Sequence, residues 1–178
     1  MENRIVIVGA GGHGKVVCDA ILAQQKYVVV GFVDDSVSIG TTVNNNYKVI
    51  ANKKNMDSLI DLANYFVIAI GNNKIREQLF IDTKTKLKAA TIIHPTAVLG
   101  SDVKIGEGAV ILANSVISAN SLIGENTIVN AGVIVDHDCV ISNSVHLSIG
   151  TIVGSNSIIG NGYTTAIGEN INSFSKIG

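Results

Sequence analysis

From residue 4 to about residue 90 the chain alternates short, continuous apolar runs with amphipathic ones. "RIVIVGAGG" (4–12) reads as a buried strand ending in a glycine turn. "GKVVCDAILAQQ" (14–25) has helical spacing at Val17 and Ile21, with Val16 and Ala20 as further candidates for the apolar face. "YVVVGFVDD" (27–35) and "YFVIAIGNN" (65–73) read as two more strands, and "NMDSLIDLAN" (55–64) and "KIREQLFID" (74–82) as helices. Strands apolar on both faces and separated by helices predict a small Rossmann-like α/β domain, its parallel sheet covered on both sides.

Near residue 90 the period changes. Every sixth residue from Ile93 is a branched aliphatic: Ile93, Leu99, Ile105, Ile111, Ile117, Ile123, Val129, Val135, Ile141, Leu147, Val153 and Ile159. Two residues before each, small or β-branched residues predominate, from Ala97 and Val103 to Thr151 and Ser157. Glycine recurs one residue after, at 100, 106, 124, 154 and 160, where a positive φ at a corner is expected. This is a hexapeptide repeat. Each six residues make a short strand and a corner, three strands close a triangular coil, and stacked coils bury a column of aliphatics that no single repeat could bury alone. The second unit is therefore expected to be an all-β, left-handed parallel β-helix. The boundary falls between residues 1–90 and 91–178, with Pro95 in "IHPTAV" marking the start of the coils and His94 in a structural role.

Composition narrows the class. Apolar residues make up 47% and charged residues 15%, with a net charge of −1, which excludes an electrostatic nucleic-acid binder. The one basic cluster, "KTKLK" (84–88), reads as a solvated linker. The first apolar run is too short, and too soon broken by glycine, for a signal peptide or membrane span. Cys18 and Cys139 make no disulfide framework, so a reducing cytoplasm is expected. Cys139 falls in a small-residue slot of the repeat and reads as core.

Candidate chemistry concentrates in "IVDHDCVISNSVHLSIG" (134–150). His137 lies between Asp136 and Asp138, and His146 follows nine residues later. The aliphatics and Cys139 belong to the repeat, which leaves His137, Asp138 and His146 as residues the scaffold does not require. They are open to three readings: a solvated corner, a metal site, or a general base with its support. A zinc site needs three or four protein ligands, while His13 and His94 belong to other motifs, so no metal is expected. Nine residues are half of an eighteen-residue coil, so the two rings should lie on different sides of one chain. They could meet only across a subunit boundary. In the first unit, "GAGGHG" (9–14) fits G-x-G-x-x-G between a strand and a helix, with Asp34 at the end of the next strand. That pattern suits NAD or the diphosphate of a nucleotide sugar equally.

The motifs "IVIVGAGGHGKVV" (5–17), "GFVDD" (31–35), "AIGNNKIR" (69–76), "IIHPTAVL" (92–99) and "NAGVIVDHDCVI" (130–141) together resemble the sugar acyltransferases of the NeuD/PglD type. These include sialic acid O-acetyltransferase and UDP-N-acetylbacillosamine N-acetyltransferase. The resemblance implies a homotrimer with sites between subunits, acetyl-CoA as donor, and a sugar acceptor, most often nucleotide-linked, for surface glycan assembly. It implies His137 as general base supported by Asp138, where a glutamate is usual. It places His146, Ser155 and Ile167 against acetyl-CoA, with Ser155 replacing a glycine. It assigns Gly11, Gly12 and His13 to the phosphates of a nucleotide sugar, Asp34 and Asp35 to the nucleoside, and Gly71 to a close approach by the ligand.

The last coils depart from this pattern. Thr165 occupies an aliphatic position, Tyr163 and Glu169 fall in small slots, and Phe174 stands where compact residues are usual. These changes predict a disturbed coil, and the chain stops at "SKIG" where the family runs on. The alternative expectation is therefore a nucleotide-sugar-binding trimer with impaired catalysis.

Overall fold

A computed structural model describes residues 2–44 and 46–178, which form two compact units, Met1–Ala90 and Thr91–Gly178. The first unit is built on β1 (Arg4–Val8), α1 (Gly12–Gln24), β2 (Val28–Val33), β3 (Thr42–Asn44), β4 (Tyr47–Ala51), β5 (Tyr65–Ile68), α2 (Asn73–Lys84) and β6 (Lys88–Ala89). The sheet order is β3-β4-β2-β1-β5-β6. All neighbours pair in parallel except β3, which runs antiparallel to β4, so the sheet is mixed rather than purely parallel. On α1, Val17, Cys18, Ala20 and Ile21 are buried, whereas Val16 faces outward.

Two local expectations are corrected. The segment expected to be a helix over 55–64 is instead a 3-10 stretch, Lys53–Leu59, with Asn55 off-helical. Asn52 caps its start by accepting from the Lys54 N–H, and the local Asn side chains favour turns over a continuing α-helix. The stretch 84–88 is no simple linker either. Leu87 is buried in the core and Lys88 begins the edge strand β6.

The second unit consists of two-residue strands in three parallel sheets. The first face stacks Ile92–Ile93, Val110–Ile111, Ile128–Val129 and His146–Leu147. Thr164 continues it by a bridge to His146. The second face stacks Val98–Leu99, Val116–Ile117, Ile134–Val135, Ile152–Val153 and Asn170–Ile171. The third stacks Lys104–Ile105, Leu122–Ile123, Val140–Ile141, Ile158–Ile159 and Lys176–Ile177. Partners such as Ile117 and Val135 are one eighteen-residue coil apart. The unit is the left-handed β-helix that hexapeptide repeats build.

The interior column follows the six-residue period. Ile111 to Ile159 are fully buried, while Leu99 in the first coil is 38% exposed. The small slots carry a second regularity. Ser121, Thr127 and Ser157 each donate a side-chain hydroxyl to the carbonyl fifteen residues on, at 2.8, 2.8 and 3.1 Å. Cys139 does the same with its thiol, to Gly154 O at 3.3 Å. At these four positions a compact donor ties one coil to the next, while Ala109, Val133 and Val145 fill the same buried slot without one.

The corner glycines have a different reason from the one expected. Gly100, Gly106, Gly124, Gly154 and Gly160 do not have positive φ. A Cβ on Gly154 would lie 2.5 Å from Ser173 N, and one on Gly106 2.5 Å from Glu125 N. These glycines let successive coils approach. The left-handed residues form another six-spaced series, from Asp102 through Gly108 and Asn114 to Gly168 and Phe174.

The expected disturbance near residue 165 is absorbed. Thr165 is buried, and its hydroxyl meets Thr151 Oγ1 and the Ser148 N–H, each at 2.8 Å. Glu169 accepts from the Ala166 N–H at 2.6 Å. No helix among the described residues is long and apolar enough to cross a membrane.

Candidate functional site

In the first unit the glycine loop joins β1 to α1, and its glycines divide into two kinds. Gly9 has φ +114, and a Cβ there would meet Ala69 O at 2.6 Å. A Cβ on Gly14 would lie 2.1 Å from Gly9 O. Both are required by the fold. Gly11 and Gly12 have nothing within 4 Å of an added Cβ. They leave open space at the N-terminus of α1, where backbone N–H groups can meet an anion. His13 follows in the first turn and is half-buried.

A cavity of about 290 Å³ opens beside this loop, at the C-terminal ends of β1, β2 and β5. It is lined by Gly9, Asp34, Asp35, Lys53, Ile70 and Leu79, among others. This is the point where the strand order reverses, the usual ligand position in such sheets. Within it the two aspartates differ. Asp34 Oδ2 accepts from the Ala10 N–H at 2.7 Å, and Oδ1 accepts from the Ser36 and Val37 N–H groups at 2.7 and 3.1 Å. Its carboxylate is thus committed to pinning the glycine loop to the end of β2. Asp35 accepts from the Lys53 N–H at 2.7 Å through Oδ1 alone.

Sequence reasoning missed Lys53 and Arg76. Lys53 reaches the cavity because β4, which was not foreseen, delivers it there. Arg76 is buried, and its Nη1 donates to the carbonyls of Ile70 and Gly71, both at 3.1 Å. It fixes the loop that carries Gly71. Burial pulls its pKa down to about 10, which leaves it charged at neutral pH.

In the β-helix, His137 and Asp138 form the turn between the second and third faces. His137 Nδ1 lies 2.6 Å from Asp138 Oδ2, and Asp138 Oδ1 accepts from Asn120 Nδ2 at 3.2 Å. The three side chains make a relay across two coils, with 51% of the His137 side chain open to solvent. The Asp138 hydrogen bond, aided by the Asp136 charge, raises the His137 pKa above its ordinary value. The bonds to His137 and Asn120 hold the Asp138 pKa low. Asp138 also has φ +57. It therefore fills a left-handed slot that the scaffold does require, contrary to expectation, and one that a short Asp suits better than a longer side chain. Asn120, one coil below with φ +60, was not foreseen. Comparing residues eighteen apart would have paired it with Asp138. Cys139 is buried with its thiol pKa raised, chiefly by desolvation, and is no nucleophile.

The other expected residues divide between two sides of the prism. Ser155 stands one coil above His137 on the same corner, with its hydroxyl donating to Ser173 Oγ at 3.2 Å. His146 points outward from the first face, opposite that corner, near Asn130 Nδ2 at 3.4 Å. Ile167 lies on the corner between the first and second faces and is exposed. Within one chain these two groups of residues lie on different sides of the prism. His94 Nδ1 lies 2.9 Å from Thr96 Oγ1 and accepts from the Thr96 N–H at 3.2 Å. Among the described residues no group of three or more His, Cys, Asp or Glu side chains could hold a metal ion.

Comparisons with known proteins match both units. The PglD N-terminal domain family matches residues 4–83, and the bacterial transferase hexapeptide family, with its six repeats, matches residues 84–119. UDP-N-acetylbacillosamine N-acetyltransferase of Bacillus subtilis is 33% identical over 113 residues, which are 61% of this chain and 50% of that protein. The chain thus spans about half the length of the curated relative it matches. Among solved structures, a variant of perosamine N-acetyltransferase from Caulobacter crescentus, bound to CoA and GDP-perosamine, superposes with a TM-score of 0.78 at 26% identity. That superposition covers 98% of this chain and 93% of the other. The acetyltransferase domain of PglB from Neisseria gonorrhoeae, bound to acetyl coenzyme A, gives a TM-score of 0.75 at 32% identity, covering 99% and 88%. With both units matched in the same order, the chain belongs to the PglD-type family of hexapeptide-repeat sugar acyltransferases.

Proposed function

We propose that this chain is an acetyl-CoA-dependent acetyltransferase acting on an amino or hydroxyl group of a sugar, most naturally a nucleotide-linked amino sugar for surface glycan assembly. The observation that carries the reading is the Asn120–Asp138–His137 relay on an open corner of a hexapeptide β-helix. A carboxylate can only accept, so it keeps the hydrogen on Nδ1 and leaves the Nε2 lone pair for the acceptor's proton. The acceptor nitrogen or oxygen attacks the thioester carbonyl as His137 takes that proton. The tetrahedral intermediate then collapses, the C–S bond breaks, and the CoA thiolate recovers the proton from His137. CoA, acetyl-CoA and GDP-perosamine bound in relatives support donor and acceptor classes of this kind.

The nucleotide part of the acceptor belongs in the cavity of the first unit. Its diphosphate faces Gly11, Gly12 and His13, and its nucleoside lies against Asp35 and Lys53. Asp34 and Arg76 hold the loops. The working form is a homotrimer in which His137, Asp138 and Ser155 of one copy meet His146 and Ile167 of the next. The separation of these two groups on one chain supports this. So do the exposed aliphatics flanking the His137 corner: Val98, Ile134 and Ile152 on the second face, Leu122, Val140 and Ile158 on the third. Two buried, unpaired thiols suit a reducing cytoplasm.

Release of CoA thiol, measured against UDP-, GDP- and CMP-linked amino sugars, tests the reading. One acceptor should turn over, and His137→Ala should abolish turnover with the oligomer intact. Turnover retained by that variant would remove His137 from the chemistry. Ser155, where the resemblance implies glycine, favours one second reading: a nucleotide-sugar-binding trimer without turnover. Calorimetry that detects the nucleotide sugar but not acetyl-CoA would support it.

A further inference from the structure

Thirteen residues spaced by six, from Asp102 to Phe174, take left-handed backbone angles, and twelve of them are Asp, Asn, Ser or Gly. Phe174 is the exception. It has φ +61, and the residue is 74% exposed. A bulky L residue is strained in this region, and a ring turned to solvent recovers nothing from core burial. The backbone there is held by the coil below, since the Phe174 N–H donates to Ser155 O at 2.8 Å. Strain that burial within one chain does not recover points to a group outside the chain, and in the proposed trimer this corner faces the donor bound between it and the next copy.

The position of Phe174 identifies that ligand. Asn120, Asp138, Asn156 and Phe174 follow one another at eighteen-residue steps up a single corner. Coils stack about 4.8 Å apart, so Phe174 stands about 10 Å along the axis from the His137–Asp138 pair. Ser155, the implied donor contact, lies one coil up in the same direction. The cysteamine and β-alanine units of CoA together span two to three residue lengths of about 3.5 Å each. An arm that starts with its thioester at His137 and runs up this corner brings the branched pantoate unit level with Phe174. We propose that the Phe174 ring packs against the gem-dimethyl pantoate segment of acetyl-CoA. The assignment rests on the acetyl-transfer reading above. It names a binding residue that the repeat pattern disfavours.

The experiment compares the native chain with Phe174→Gly on three acetyl donors: acetyl-CoA, acetyl-pantetheine and S-acetyl-N-acetylcysteamine, the last of which lacks pantoate. Removing the strain should raise Tm by about 4–8 °C. KM should rise about tenfold for the first two donors and stay unchanged for the third. Phe174→Asn, the residue found at 156, should repeat the pattern. Unchanged KM for all three donors overturns the assignment. So does a penalty confined to acetyl-CoA, which would put the ring under the adenine. If the native chain uses none of the donors, the acetyl-transfer reading falls, and this assignment falls with it.

Discussion

Replacing Asp138 with Asn changes no shape, only which atoms donate, and Asn120 decides the result. In the native chain Asn120 Nδ2 donates to Asp138 Oδ1 at 3.2 Å, and Asp138 Oδ2 lies 2.6 Å from His137 Nδ1. An amide at 138 has one accepting end and one donating end. While Asn120 keeps the Nδ2 orientation of the native chain, the oxygen at 138 turns toward it and the NH2 group faces His137. Nδ1 then accepts, the hydrogen moves to Nε2, and the ring is in the wrong tautomer for a base. The expected loss is most of the general-base contribution, roughly 10²–10⁴-fold in kcat, with little change in donor KM. Adding Asn120→Asp reverses the amide. The carboxylate at 120 accepts from the NH2 at 138, and the oxygen returns to Nδ1–H. The double variant should recover about tenfold or more over the single one. Thiol release from acetyl-CoA measures both. The pH profile gives an independent check. Asp138 is the main cause of the raised His137 pKa, so native activity fades as pH falls through a value above 6.5. Without the carboxylate that acid limb moves to lower pH. Activity of Asp138→Asn within about threefold of native, or a double variant no better than the single, would refute the relay.

Two further predictions concern the scaffold and the cleft. Gly154→Ala sets a Cβ 2.5 Å from Ser173 N and should cost about 1–3 kcal/mol, lowering Tm by several degrees. Gly132→Asn, at φ +68 with open space around it, should stay within about 0.5 kcal/mol. The reverse order in thermal melts would contradict the coil-stacking account. Asp34→Asn leaves three N–H donors facing an amide with only one oxygen, so it should cost about 1–3 kcal/mol and weaken nucleotide-sugar binding in calorimetry. Unchanged melting would return Asp34 to the role of a ligand.

The β-helix was legible because its period is strict. Aliphatics at every sixth position fix which way each side chain points, and the eighteen-residue coil follows. The same arithmetic placed His146 away from His137. The reason for the corner glycines was not legible. A glycine at 154 says only that a Cβ is absent, and the neighbour it avoids, Ser173, lies one coil away. Asp138 was misread for a related reason. Its carboxylate drew attention to chemistry, while the series Asp102, Asn114, Asn120, Asn126 already marked that position as left-handed. In the first unit, β3 and β4 escaped notice because "TVN" and "YKVIA" are short and flank a run of Asn in the sequence. Asp34 was recognised as important, but three backbone N–H groups from two loops hold it, and spacing along the chain does not reveal them.

The central claim is an acetyl-transfer site assembled from two copies. The most direct measurement mixes His137→Ala and His146→Ala chains, unfolded and refolded together in equal amounts, and follows thiol release from acetyl-CoA. Each variant alone should be inactive. In the mixture, about a quarter of the sites should pair an intact His137 from one copy with an intact His146 from its neighbour, and activity should return to about that fraction of native. A mixture as inactive as its parts would show that both histidines serve within one chain, contradicting the account.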